Sequence, residues 1–166
     1  MRNLFDVDDR TILITGASRG IGFAMAEALA EYGATVILNA RNREALEIKV
    51  DVLRSKGLKA EYSVFDVTNI DAGTQALEDV AGKFGSLYGL INNAGIQHRS
   101  PVLDFADRDF ELVVSTNLTS CFSLSREAIR LMQKSGGGRI INTVSMLGPQ
   151  ARPTVPAAST AAPRRT

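Results

Sequence analysis

The sequence predicts an α/β fold with an open, doubly wound parallel sheet, and three observations carry that expectation. Short apolar runs alternate with longer stretches of helical period, as in strands joined by crossover helices. A glycine-rich turn joins the first apolar run to the first helical stretch. The chain has 166 residues, 45% of them hydrophobic, enough for one domain with a sizeable core.

The elements can be read in order. TILIT (11–15) is a buried strand. IGFAMAEALAEYG (21–33) has helical period, with Ile21, Met25, Ala28, Leu29 and Tyr32 on one face and Gly33 as its stop. TVILNA (35–40) is the second strand, and residues 42–56 make a charged amphipathic helix ended by Gly57. KAEYSVFD (59–66) alternates well enough to be a third strand. A helix over 69–85 follows, with Asn69 or Asp71 as its cap, then a fourth strand, LYGLIN (87–92). One long helix spans roughly 107–134 before the glycine cluster Gly136–Gly138 and a fifth strand, RIINTV (139–144). Residues 1–154 form one domain on this reading, and residues 155–166 a C-terminal stump without pattern.

Composition narrows the function. The charges nearly cancel, 19 Lys+Arg against 18 Asp+Glu, which argues against a nucleic-acid or anionic-membrane partner. No apolar run approaches the ~20 residues of a membrane span. The opening MRNLFDVDDR has acidic residues where a signal peptide would be apolar, and the one cysteine, Cys121, fits a reducing compartment. The expectation is a cytoplasmic, soluble protein. With one histidine and no acidic cluster, no metal site is expected.

The sharpest motif is Thr15-Gly16-Ala17-Ser18-Arg19-Gly20-Ile21-Gly22, between the first strand and first helix. Glycines there permit a tight turn and let backbone N–H groups approach a pyrophosphate at a helix N-terminus. Gly22 would let that helix pack closely on the sheet. After the second strand come Asn39-Ala40-Arg41-Asn42, with no carboxylate to hold a ribose 2′-OH. Arg41 and Arg19 suit a 2′-phosphate instead, so NADP(H) is favoured over NAD(H).

These residues resemble the short-chain dehydrogenase/reductase superfamily, whose fold is Rossmann-like, and later segments extend the match. Asn92-Asn93-Ala94-Gly95 looks like the family's N-N-A-G motif, and Asp66-Val67 like its adenine-contacting acid and neighbour. Asn117, on the long helix, resembles the active-site asparagine, and Ser145 falls at the catalytic serine. The resemblance implies cofactor contacts at Gly16, Ser18, Arg19, Gly20, Ile21, Gly22, Arg41, Asp66, Val67, Asn93, Ala94 and Gly95. NNAGIQHRSP (92–101) and SMLGPQARPTVPA (145–157) are most similar to sugar-acid dehydrogenases of the gluconate 5-dehydrogenase group. By that resemblance Gln97, His98 and Arg99 line the substrate mouth, with Arg99 holding a carboxylate.

The same resemblance assigns proton transfer to a tyrosine in a Y-x-x-x-K pair, with the lysine lowering its pKa from ~10. Aligned on Val155-Pro156, this sequence has Ala158 at the tyrosine position and Ala162 at the lysine position. Two readings therefore stand. The chain belongs to an oxidoreductase of this type but is itself inactive as written, or it is a nucleotide-binding or interaction module without chemistry. The resemblance also implies further strands and helices beyond Thr166, and a homo-oligomer, tetramer or dimer.

Overall fold

The computed structural model describes residues 6–144. Five parallel strands, β1 (Thr11–Ile14), β2 (Thr35–Ala40), β3 (Ala60–Val64), β4 (Gly89–Asn92) and β5 (Arg139–Asn142), form one sheet in the order β3-β2-β1-β4-β5. The helices are α1 (Gly20–Glu31), α2 (Arg43–Ser55), α3 (Ile70–Phe84), α4 (Asp107–Val114) and α5 (Ser120–Lys134). Each expected strand is present, β2 at its full expected length and the others shorter by one to three residues where their ends leave the ladder.

Strand side chains alternate between two apolar layers, as the pleat requires. Ile12, Ile14, Val36, Leu38 and Ile91 pack with α1 and α2 residues such as Ala26 and Val50. Leu13, Ile37 and Leu90 pack with α3 and α5 residues such as Leu77 and Leu124. Helices therefore cover both faces of the sheet. The strand order runs outward from β1 to β3, then reverses from β1 to β4 and β5, so the loops after β1 and β4 part at the switch point and leave a crevice.

Two expectations need correction. The face of α1 turned to the sheet is Gly22, Ala26 and Ala30, while Ile21 is 68% and Tyr32 77% exposed. Close approach of α1 to the sheet leaves room only for small residues, so the larger apolar side chains flank the contact. The single helix over 107–134 is also interrupted: Ser115–Thr119 form a π-helical turn between α4 and α5. The Ser120 hydroxyl donates to the Thr116 carbonyl (2.6 Å) and the Cys121 thiol to the Asn117 carbonyl (3.4 Å), so side chains occupy carbonyls of the widened turn. Such turns concentrate at functional sites, and this one carries Asn117.

The two sheet edges differ. On β3, Arg54 donates to the Ala60 carbonyl (2.9 Å) and pairs with Glu61, which Lys83 also contacts, an arrangement that blunts strand addition. On β5, among the described residues, Ile141 is 54% exposed and the outer edge is unpaired. Among the described residues no helix is long and apolar enough to cross a membrane.

Candidate functional site

The loop after β1 is fixed by bonds that a local sequence reading does not show. Thr15, the first residue after β1, is fully buried, and its hydroxyl accepts the backbone N–H groups of Asn93 (2.9 Å) and Ala94 (3.0 Å). The Asn93 carboxamide donates back to the carbonyls of Thr15 (3.0 Å) and Gly16 (3.2 Å). Asn93, expected as a cofactor contact, thus uses its amide to clamp the glycine loop. Asn92 works the other way: its amide reaches Asn142 Oδ1 (2.8 Å) and Ser125 Oγ (3.0 Å), and its carbonyl accepts the Thr143 N–H (2.9 Å). The paired asparagines tie β4 to β1 on one side and to β5 on the other.

Two glycines are obligatory. Gly16 has φ +64°, and a Cβ there would meet the Ala94 Cα at 2.8 Å. A Cβ on Gly22 would fall 2.6 Å from both Asn93 Nδ2 and the Gly16 carbonyl. The loop therefore lies as close to the β4 turn and to α1 as backbone allows. The first turn of α1 has no side-chain cap at Arg19, whereas α2 and α3 are capped by Asn42 and Asn69. Its N–H groups remain available to an anion.

At the end of β2 the buried Asn39 turns into the sheet, donating to the carbonyls of Ser63 (3.1 Å) and Phe65 (3.0 Å), while its own carbonyl accepts the Ala17 N–H (2.8 Å). Asn39 is thus a brace between β3 and the glycine loop. Asp66 follows β3, with Oδ1 accepting the Thr68 N–H (2.9 Å) and hydroxyl (2.8 Å), and Oδ2 lying 3.6 Å from Arg41 Nη1. Burial pushes this carboxyl up, but the Thr68 bonds and Arg41 outweigh it, and its pKa sits below the usual carboxylate range.

These pieces line a cleft of about 280 Å³, open to solvent, at the carboxyl ends of β1, β2, β3 and β4. Gly16, Ser18, Arg19, Arg41, Asp66, Val67, Ala94 and Gly95 line it together, all singled out in the sequence. Gly20, Ile21, Gly22 and Asn93 do not line it; they shape or flank the loop that does. A cleft lined by two arginines, Arg19 and Arg41, with uncapped N–H groups beside it fits a phosphorylated dinucleotide. A metal has no comparable donor set in that lining.

The substrate-side residues are held differently. Asn117 brackets Ile96, accepting its N–H (2.9 Å) and donating to its carbonyl (2.9 Å), so the π-helical turn fixes the loop after β4. Gln97 and Arg99 are exposed and line no part of the cleft. His98 turns toward α4, with Nε2 3.7 Å from Asp109 Oδ2 and its ring edge-on to Phe105. Ser145, Ala158 and Ala162 lie outside the described residues, as does the stump 155–166. Sequence reading missed the bracing roles of Thr15, Asn39 and Thr68; a polar residue closing an apolar run was the available signal at Thr15 and Asn39.

Comparison with known proteins gives a consistent result. The family model described as short chain dehydrogenase matches residues 10–162. Gluconate 5-dehydrogenase of Gluconobacter oxydans is 40% identical over 153 residues, 92% of this chain and 60% of that protein. 5-Keto-D-gluconate 5-reductase of Escherichia coli K12 is 36% identical over 155 residues, 93% of this chain and 61% of that protein. A crystal structure of a gluconate 5-dehydrogenase from Burkholderia cenocepacia, in complex with NADP and tartrate, superposes with TM-score 0.87 at 36% identity, over 93% of this chain and 61% of that one. The chain thus spans about three-fifths of the length of these relatives.

Proposed function

This chain belongs to the short-chain dehydrogenase family, and from that premise we propose that it is the nucleotide-binding part of an oxidoreductase that uses NADP(H) on a sugar acid or related carbonyl. The observation that carries the reading is the cleft itself: the glycine loop, Arg41, Asp66 and the Ala94-Gly95 turn come together at the sheet's switch point. The NADP held by the Burkholderia relative supports the choice of cofactor, and the names of the relatives support the class of substrate.

In this proposal the uncapped N–H groups opening α1 bind the pyrophosphate, and Arg41 with Arg19 takes the 2′-phosphate. A nicotinamide nucleotide held there would supply the hydride acceptor or donor. Asn117 holds the Ile96 backbone and so sets the floor of the substrate side. By family resemblance Ser145 donates a hydrogen bond to the substrate oxygen. A developing alkoxide also needs a proton, and Ala158 and Ala162 supply neither an O–H nor an ammonium. Absence of a general acid–base alone costs about 10²–10⁴ in rate. The chain as written therefore binds nucleotide with little or no turnover, which keeps a non-catalytic binding module as the second reading.

Homo-oligomerisation belongs to the same proposal, supported by the exposed Phe110, Leu118, Phe122 and Ile129 along α4 and α5. So does a reducing, cytoplasmic setting, consistent with one unpaired, half-buried cysteine. The test is titration with NADPH followed by a 5-keto-gluconate reduction assay. Saturable binding with no turnover is expected, and turnover by a chain carrying Ala158→Tyr and Ala162→Lys would favour the oxidoreductase. Failure to bind either nicotinamide nucleotide would reject the oxidoreductase and the nucleotide-binding form of the module.

A further inference from the structure

We propose that Asp66 tunes the nucleotide preference of the cleft by acting through Arg41, competing with a ribose 2′-phosphate for the guanidinium. The inference rests on the NADP(H) reading above and deepens it. The two carboxylate oxygens of Asp66 are used unequally. Oδ1 takes both the N–H and the hydroxyl of Thr68, at 2.9 and 2.8 Å, while Oδ2 meets only Arg41, at 3.6 Å. The carboxylate is therefore held in place without Arg41, and withdrawing the guanidinium leaves no buried charge orphaned.

Both partners are open to water, Arg41 with 75% and Asp66 with 40% of the side chain exposed. An ion pair of that kind is weak and screened. A phosphate dianion offers Arg41 a stronger, bidentate partner, so the guanidinium transfers to it. Arg19, which lines the same cleft, makes no ion pair among the described residues and meets no such competitor. Asp66 thus orients Arg41 and restrains its affinity, making it a positioning residue for the phosphate.

The experiment is calorimetric titration of the full chain with 2′,5′-ADP and with 5′-ADP, at low salt, as a double-mutant cycle. Asp66→Asn keeps the shape and an oxygen for Thr68 while removing the competing charge. It is expected to raise the ratio of 2′,5′-ADP to 5′-ADP affinity about three- to tenfold, any change common to both nucleotides reporting the shared adenine. On the Arg41→Ala background the same substitution should shift that ratio by less than about twofold. An equal shift for both nucleotides, or a shift undiminished on that background, overturns the proposal. If Arg41→Ala leaves the preference for 2′,5′-ADP intact, Arg41 does not hold the 2′-phosphate and the inference fails; if the unaltered chain shows no such preference, the NADP(H) reading fails with it. An independent readout needs no variant: the Arg41 Nε–H resonance should move with 2′,5′-ADP and stay with 5′-ADP. A resonance that ignores the 2′-phosphate overturns the proposal.

Discussion

The wall of the cleft built from β1, β2 and β3 and the wall built from the loop after β4 with α4 are made in different ways. On the first wall two fully buried polar side chains, Thr15 and Asn39, together with Asn93, close a set of bonds between strands distant in sequence. On the second, Asn117 grips one residue, Ile96, while Gln97 and Arg99 extend into solvent and His98 rests against Asp109. A nucleotide is the same ligand throughout a family, so its wall can be rigid and preorganised. A substrate wall carried on a loop can change its side chains without disturbing the sheet.

The largest effect should come from the tightest point of the first wall. Gly22→Val places a branched side chain where even a Cβ falls 2.6 Å from Gly16 and Asn93, so a loss of about 3 kcal/mol or more is expected, together with nucleotide binding. Thermal unfolding and NADPH titration check it; a near-wild-type melting temperature would mean the loop is not packed as described. Thr15→Val comes next. It orphans the Asn93 and Ala94 N–H groups, at about 1–3 kcal/mol for each group that stays buried. Thr15→Ser should recover most of the loss, because the hydroxyl is the working part.

On the second wall the expected pattern inverts. Asn117→Leu removes both bonds to Ile96, at about 1 kcal/mol each, and should speed amide exchange across residues 95–99. NADPH affinity should stay within about threefold. A nucleotide loss as large as that of Thr15→Val would erase the distinction between the walls. The smallest effect concerns acid. Asp66 has a folded pKa below its unfolded value, so its contribution to stability is complete above the ordinary carboxylate range and drains away as pH falls through the folded value. Asp66→Asn should therefore flatten the acid limb of stability below about pH 4 by lowering the neutral plateau slightly towards the acid value.

Much of this architecture was legible because its causes are local. Apolar runs, glycine stops and the Asn69 cap marked the strands and α3, and Gly16, Arg41, Asp66 and Gly95 were found as motif residues that the fold then brought to one cleft. The rest depends on contacts between distant segments. No periodicity along α1 distinguishes a sheet face of Gly22, Ala26 and Ala30 from the larger apolar face beside it. The π-helical turn at Ser115–Thr119 is set by what Asn117 must reach, 21 residues earlier in the chain. The paired asparagines 92 and 93 read as one motif, yet their side chains serve opposite neighbours of β4.

The central claim is that the first wall is a finished binding site for a 2′-phosphorylated nicotinamide nucleotide. Parallel titrations of the full chain with NADPH and NADH, repeated for Arg41→Ala, test it most directly. The account predicts saturable binding, with NADPH favoured about tenfold or more, and a preference reduced to within about threefold by the substitution. Binding of neither nucleotide, or an NADPH preference untouched by loss of Arg41, would contradict it.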